Sequence, residues 1–233
     1  MRLRPVSLVL QHSLLALGAA TGIAGAQIPP TSLPKGTTAT IVTRPTLVDP
    51  VHVTSVSGFR DDELTWVAFG PGTTGVQGVR VRENYDKPCA LEISGKSLEQ
   101  GSRDEGDEEL NICTDGFQFP QGALSFLNGL STSDKAVVFD GNPRHYLRGI
   151  AVCTNNNNNH RLKGIRIYPA SVGTDATVNA LGSYEEFRQT NCSQWHTAVY
   201  CPSGQVASGL AVHHSDEEIT GIALRCRRVV ASM

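Results

Sequence analysis

The chain has 233 residues, of which 39 % are hydrophobic and 18 % charged, with a formal net charge of −2. That balance excludes nucleic acid and anionic membrane as expected partners, because both demand a basic face. No stretch reaches the roughly 20 consecutive apolar residues of a spanning helix, so no membrane insertion is expected.

Residues 1–26 read as a secretory signal: Arg2 and Arg4 start it, an apolar run through Leu14, Leu15 and Leu17 follows, and Ala24-Gly25-Ala26 forms a cleavage signature. The expected mature chain begins at Gln27 and is secreted, or periplasmic in a Gram-negative cell; loss of the two arginines takes its formal charge from −2 to −4. Residues 27–50 hold five prolines, which remove backbone donors, so an extended leader is expected with an edge strand near residues 39–43. Residues 51–233 are expected to form a single β domain, a size ordinary for all-β folds.

Within that domain one phrase recurs: apolar, any residue, Gly, apolar, any residue, apolar. It appears as Val76-Gln77-Gly78-Val79-Arg80-Val81, Leu147-Arg148-Gly149-Ile150-Ala151-Val152 and Leu162-Lys163-Gly164-Ile165-Arg166-Ile167. It returns as Ala207-Ser208-Gly209-Leu210-Ala211-Val212 and Ile219-Thr220-Gly221-Ile222-Ala223-Leu224, with a degenerate copy at Val56-Ser57-Gly58-Phe59-Arg60-Asp61. The last two apolar positions share one face of a strand, but the first breaks the alternation. An extra residue at or beside the glycine, a β-bulge, restores it; the alternative is a glycine that admits a neighbouring side chain. Taken in pairs the copies predict three units, about residues 52–83, 136–168 and 197–228, with an insertion at about 84–115. Three such units suggest pseudo-threefold symmetry. Helix signals are poor, with short candidates at residues 124–130 and 183–189.

Six cysteines behind a secretory signal read as three disulfides. Antiparallel pairing of the last two copies brings Cys201 to Cys226; Cys89–Cys113 is a local closure of the acidic segment, and Cys153–Cys192 remains. No C-x-x-C spacing supports a zinc site.

Two stretches carry a family resemblance. Gly149-Ile150-Ala151-Val152-Cys153 with Leu162-Lys163-Gly164-Ile165-Arg166-Ile167-Tyr168 is similar to the repeat of the vitelline membrane outer layer proteins. So is Cys201-Pro202-Ser203-Gly204 through Gly209-Leu210-Ala211-Val212 to Ile222-Ala223-Leu224-Arg225-Cys226. The resemblance covers mainly residues 136–228 and implies an all-β, disulfide-stapled β-prism, the architecture shared by jacalin-like lectins. It implies sugar binding or an extracellular coat as a direction and assigns no functional residue. Residues 155–159 are five Asn, and 216–218 are Asp-Glu-Glu, where the family carries an acidic pair.

Chemistry is expected in the loops inside each pair: residues 70–75, 153–161 and 213–218. Asn155, Asn157 and His160 offer donors and acceptors suited to sugar hydroxyls, against a solvated low-complexity loop as the bland reading. His213, His214 and Asp216 join imidazole to carboxylate, but neighbours on a strand face opposite ways, so a solvated turn competes. Asp104, Asp107 and Glu108 lie in an acidic run for which calcium is the candidate ion and a solvated charge run the commoner fate. Trp66, Trp195, Tyr168 and Tyr200 are candidate sugar platforms or core residues. Asn191-Cys192-Ser193 fits a glycosylation sequon. No G-x-S-x-G, H-E-x-x-H, P-loop or G-x-G-x-x-G occurs. The leading expectation is a secreted, non-catalytic binding or coat module without cofactor, with a glycan or a matrix or cell-surface component as partner. An extracellular glycoside hydrolase or transferase, and a secreted toxin or inhibitor, are the alternatives.

Overall fold

The computed structural model describes residues 42–99, 104–119, 133–139, 144–156 and 160–232. Among them all regular structure is β. The first strands are β1 (Arg44–Val53), β2 (Ser57–Gly58), β3 (Glu63–Ala68), β4 (Thr74–Asn84), β5 (Lys87–Ser97), β6 (Asp104–Asn111) and β7 (Asp134–Val138). Then follow β8 (His145–Thr154), β9 (Leu162–Val172), β10 (Val178–Ala180), β11 (Glu185–Arg188), β12 (Gln194–Trp195), β13 (Val199–Tyr200), β14 (Gln205–His214) and β15 (Ile219–Ser232).

These strands make three antiparallel sheets, each centred on one long hairpin with a flank on either side. The first runs β6-β5-β4-β7. The second is β9 and β8, flanked by β10 and β11 on one side and β12 and β13 on the other. The third runs β1-β15-β14-β3, with β2 added to β15. Its hairpin comes from the end of the chain and its flanks from residues 44–68, so the third face is closed by strands far apart in sequence.

The glycine phrase marks a bulge at the same point of each hairpin. Register shifts between Val76 and Gly78, Leu147 and Gly149, and Ala207 and Gly209 leave Gln77, Arg148 and Ser208 as the extra residues. A second shift, near each hairpin tip, leaves Cys89, Lys163 and Thr220 unpaired on the return strand. The bulge restores the alternation and bends each strand. Close approach also operates: a Cβ on Gly149 would meet the Tyr200 ring, and one on Gly209 would run into Ala68.

The bends turn equivalent side chains toward one core. Val79, Val81, Leu91 and Ile93 come from the first hairpin; Ile150, Val152, Ile165 and Ile167 from the second; Leu210, Val212, Ile222 and Leu224 from the third. All are at most 2 % exposed and belong to one cluster. Each such burial contributes about 1.5–3 kcal/mol. A second cluster of Leu47, Leu98, Tyr146, Ala170, Val172, Val206 and Val229 lies toward the hairpin bases. There the Tyr146 hydroxyl donates to the Ser97 carbonyl at 2.7 Å. Disulfides join Cys89 to Cys113, Cys153 to Cys192 and Cys201 to Cys226, the pairings expected from the sequence.

Several expectations are corrected. Val76–Val81 does not pair with residues 56–61; β4 pairs with β5, so the supposed insertion at 84–115 supplies a core strand. Its phrase reads Pro88-Cys89-Ala90-Leu91-Glu92-Ile93, with alanine where the other copies carry glycine. Residues 56–61 instead cross the third sheet, where Gly58 pairs with Gly221. Residues 183–189 are not helical: β11 pairs with β9 and inserts Phe187 into the core between exposed Glu186 and Arg188. The edge strand is β1, later than expected, with Pro45 and Pro50 on a strand that has a single partner. The candidate helix at 124–130 and the signal at 1–26 lie outside the described residues.

Candidate functional site

The three hairpin tips meet at one end of the molecule. The first is a two-residue turn in which Tyr85 and Asp86 both have positive φ, 48° and 67°, the geometry of a tight hairpin turn. The second carries Asn155, His160 and Arg161, and the third is the loop 215–218. Residues 70–75, expected as the first loop, instead lead into and begin β4 at the opposite end of its hairpin, where Leu98 N–H donates to the Thr73 carbonyl.

The tip bulges clamp this end. Lys163, fully buried, directs Nζ to Glu83 Oε1 (2.7 Å), the Asp86 carbonyl (2.6 Å) and Asp86 Oδ1 (2.7 Å). Arg161 makes a two-pronged contact with Glu218 at 2.6 and 3.0 Å and lies 3.7 Å from Asp86. Lys87 pairs with Glu217, and Asn191 Nδ2 donates to Asp86 Oδ1 at 2.9 Å. Burial alone would raise the Asp86 carboxyl, but Lys163, with Asn191 and Arg161, draws it below the usual range. Lys87 holds Glu217 low, and the hydrogen bonds that Arg161 donates to Glu218 raise Arg161. Cys89 is bonded to Cys113, and Thr220 Oγ1 donates to the Phe59 carbonyl at 3.3 Å. The equivalent bulge residues thus fasten the end by a disulfide, an ion cluster and a hydrogen bond.

Beside this clamp lies a recess of about 220 Å³ lined by Asn84, Tyr85, Lys87, Cys89, Ile112, Thr114 and Glu217. The Tyr85 side chain is 93 % exposed, a ring standing in solvent on a two-residue turn at the edge of this hollow. Tyr85 was missed because nothing in the sequence marked the 84–87 turn: no Asn-Gly or Asp-Gly flags it, and its flanking phrase lacks the glycine.

The expected site residues divide. Asn155 is buried and closes its own loop, exchanging hydrogen bonds with the Arg161 backbone at 3.1 Å. Its side-chain carbonyl is engaged within the loop. Asn157 lies outside the described residues. His160 stacks on Phe59 at 3.6 Å between centroids, and Phe59 meets His196 edge-on at 4.9 Å. Burial, helped by His160, lowers the His196 pKa. Asp216 is exposed on the third tip.

His213 and His214 face opposite sides of β14, as strand geometry requires. His214 contacts Thr65 Oγ1 (2.9 Å) and Glu63 (3.1 Å), while His213 donates Nδ1–H to the Asp61 carbonyl (3.2 Å). Asp107 and Glu108 are successive residues of β6, opposite Ser94 and Ile93, and so point to opposite faces. No group of three potential metal ligands occurs among the described residues. The side chain of Asp104 lies outside them. Arg166 is flanked by Trp195 (4.3 Å) and Tyr184 (4.2 Å) and is held by Glu186, while Tyr168 and Tyr200 lie 5.2 Å apart. Trp66 is 48 % exposed on the outer face of the third sheet.

No family model matches the chain, and no curated protein matches it. Solved structures of jacalin-like lectins are similar in fold. Calystegia sepium agglutinin shares 12 % identity over 78 % of this chain and 99 % of its own, with a TM-score of 0.46. Malaysian banana lectin shares 12 % over 76 % of this chain and 98 % of its own, at 0.40. Single-chain recombinant jacalin shares 10 % over 77 % and 96 %, at 0.40.

Proposed function

We propose that this chain is a secreted, non-catalytic carbohydrate-binding module that presents its site at the clamped loop end. The observation carrying this reading is the Tyr85 ring. It is almost wholly exposed, fixed by a two-residue turn, and set against a recess that offers the Asn84 amide, the Thr114 hydroxyl and the Lys87–Glu217 pair. An aromatic face stacks on the C–H face of a pyranose, while amides, hydroxyls and charged groups serve its hydroxyls. The clamp beneath holds these groups in place before binding, which lowers the ordering cost of association. Secretion is supported by three disulfides, which persist in oxidising compartments. A glycan on a matrix or cell-surface component is the partner class.

Glu217 is the carboxylate among the lining residues, and Lys87 keeps it ionised. A glycosidase would need two carboxyl groups flanking the bond, one with a raised pKa. The recess therefore favours binding over hydrolysis.

The test is a glycan array probed with the secreted protein, with and without calcium. Saturable binding that persists in chelator and falls at least about tenfold in Tyr85→Ala is expected, a loss equivalent to about 1.4 kcal/mol. Failure to bind any glycan would sink the reading. N-terminal sequencing of secreted protein should begin at Gln27.

A further inference from the structure

A second concave site lies on the outer face of the third sheet. Cross-strand register aligns Trp66 of β3, Ala211 of β14 and Ala223 of β15 in one row. The two alanines leave a channel where larger residues would fill the face. Trp66 and Leu64 wall it on one side, and Val53, Thr54 and Val56 on the other, with Arg60 and His213 also lining it. Its volume is about 350 Å³, inside the range of small-molecule sites. Trp66, Leu64 and Val53 are 48, 45 and 43 % exposed, an apolar cluster on an otherwise ordinary surface.

Both walls are hydrogen-bonded to the floor strands. β3 pairs along β14 from Ala68 to Glu63. The opposing strap is held by Thr54 N–H to the Leu224 carbonyl (3.1 Å), Leu224 N–H to Thr54 Oγ1 (2.9 Å) and Phe59 N–H to the Thr220 carbonyl (3.1 Å). The His213 Nδ1–H donated to the Asp61 carbonyl ties it again. The channel is thus preformed.

Charge decides the occupant. Arg60 is exposed at the groove and has no ion pair or hydrogen bond among the described residues. Arg225 lies two residues beyond Ala223 on the same face, opposite groove-lining Val53, and its side chain likewise has no ion pair among them. Apolar walls do not satisfy the hydroxyls of a sugar, whereas they suit an apolar body, and two uncommitted guanidinium groups suit an anion. We infer that this groove binds a small amphiphilic carboxylate, an aromatic or aliphatic body stacked on Trp66 with its anionic head toward Arg60 or Arg225.

The test uses 4-phenylbutyrate and its uncharged amide, titrated calorimetrically into the full chain. Saturable one-to-one binding of the carboxylate, at least about tenfold tighter than the amide, is expected. Trp66→Ala, which alters an exposed side chain, should abolish binding of both, and the double variant Arg60→Gln/Arg225→Gln should make carboxylate and amide equal. Tyr85→Ala should leave this binding unchanged, which separates the groove from the glycan reading. Absence of binding at millimolar ligand, or a Trp66→Ala variant that binds normally, would overturn the inference. So would a self-association in sedimentation that Trp66→Ala removes, since the groove would then belong to a second copy.

Discussion

At the scale of single residues the fold places chemistry where bends and burial demand it. Glu92 is 3 % exposed, 2.5 Å from Arg80, and faces Asp107 and Glu109 across the strand edge. Burial, opposed by Arg80 and reinforced by those two carboxylates, pushes its pKa up to about 7 from 4.5. Between these values the folded state keeps a proton that the unfolded chain releases, so stability falls as pH rises through that window. Urea unfolding of Glu92→Gln against the wild type should show that slope removed, a difference of about 3 kcal/mol between pH 4.5 and 8. An unchanged slope would place the titration elsewhere. Glycines give a second contrast. Gly209→Ala drives a Cβ into the backbone of Ala68 and should cost about 2 kcal/mol, whereas Gly182→Ala meets open space and should stay within about 0.5 kcal/mol. Equal melting temperatures for the two would refute the close-approach argument.

At the scale of elements the hairpins carry both core and site. The tip bulges are equivalent in backbone but not in chemistry: Cys89 crosslinks, Lys163 binds carboxylates, and Thr220 donates to the strap. Lys163→Met leaves Glu83 and Asp86 without their buried cation, and a loss of about 3 kcal/mol is expected. Adding Glu83→Gln should restore part of it. Additive losses in the double-mutant cycle would mean that the ammonium and the carboxylate do not act as a pair. The hairpins were readable because the bulge needs an extra residue and favours glycine beside it. One copy escaped detection because Ala90 stands where the other copies carry glycine, and the acidic run of β6 then looked like an insertion. It is a strand whose side chains alternate about the sheet edge.

At the scale of the whole molecule the third sheet depends on distant segments, with β1 and β3 flanking a hairpin from the other end of the chain. Removing residues 44–53 strips β15 of its outer partner along residues 225–232 and uncovers Val229 beside Leu47. The truncated protein should unfold at a lower temperature and associate through the bare edge, seen as a larger species in sedimentation. A monomer of unchanged stability would show that the closure is dispensable. Loss of Cys201–Cys226, across the same sheet, should cost about 3–4 kcal/mol through the entropy of the unfolded chain.

Local pattern was enough for the β class, the bulged phrase, the core positions of two of the three bent strand pairs and all three disulfides, because these follow from alternation, spacing and the parity of cysteines. The faces of His213 and His214 also followed from strand geometry alone. Tertiary structure alone decided that residues 56–61 strap the third sheet, that the first hairpin turns at Tyr85 and Asp86, and that Ala211 and Ala223 lie in line with Trp66. Those relations join residues far apart in the chain, and no local periodicity records which surfaces will meet once the sheets close on their common core.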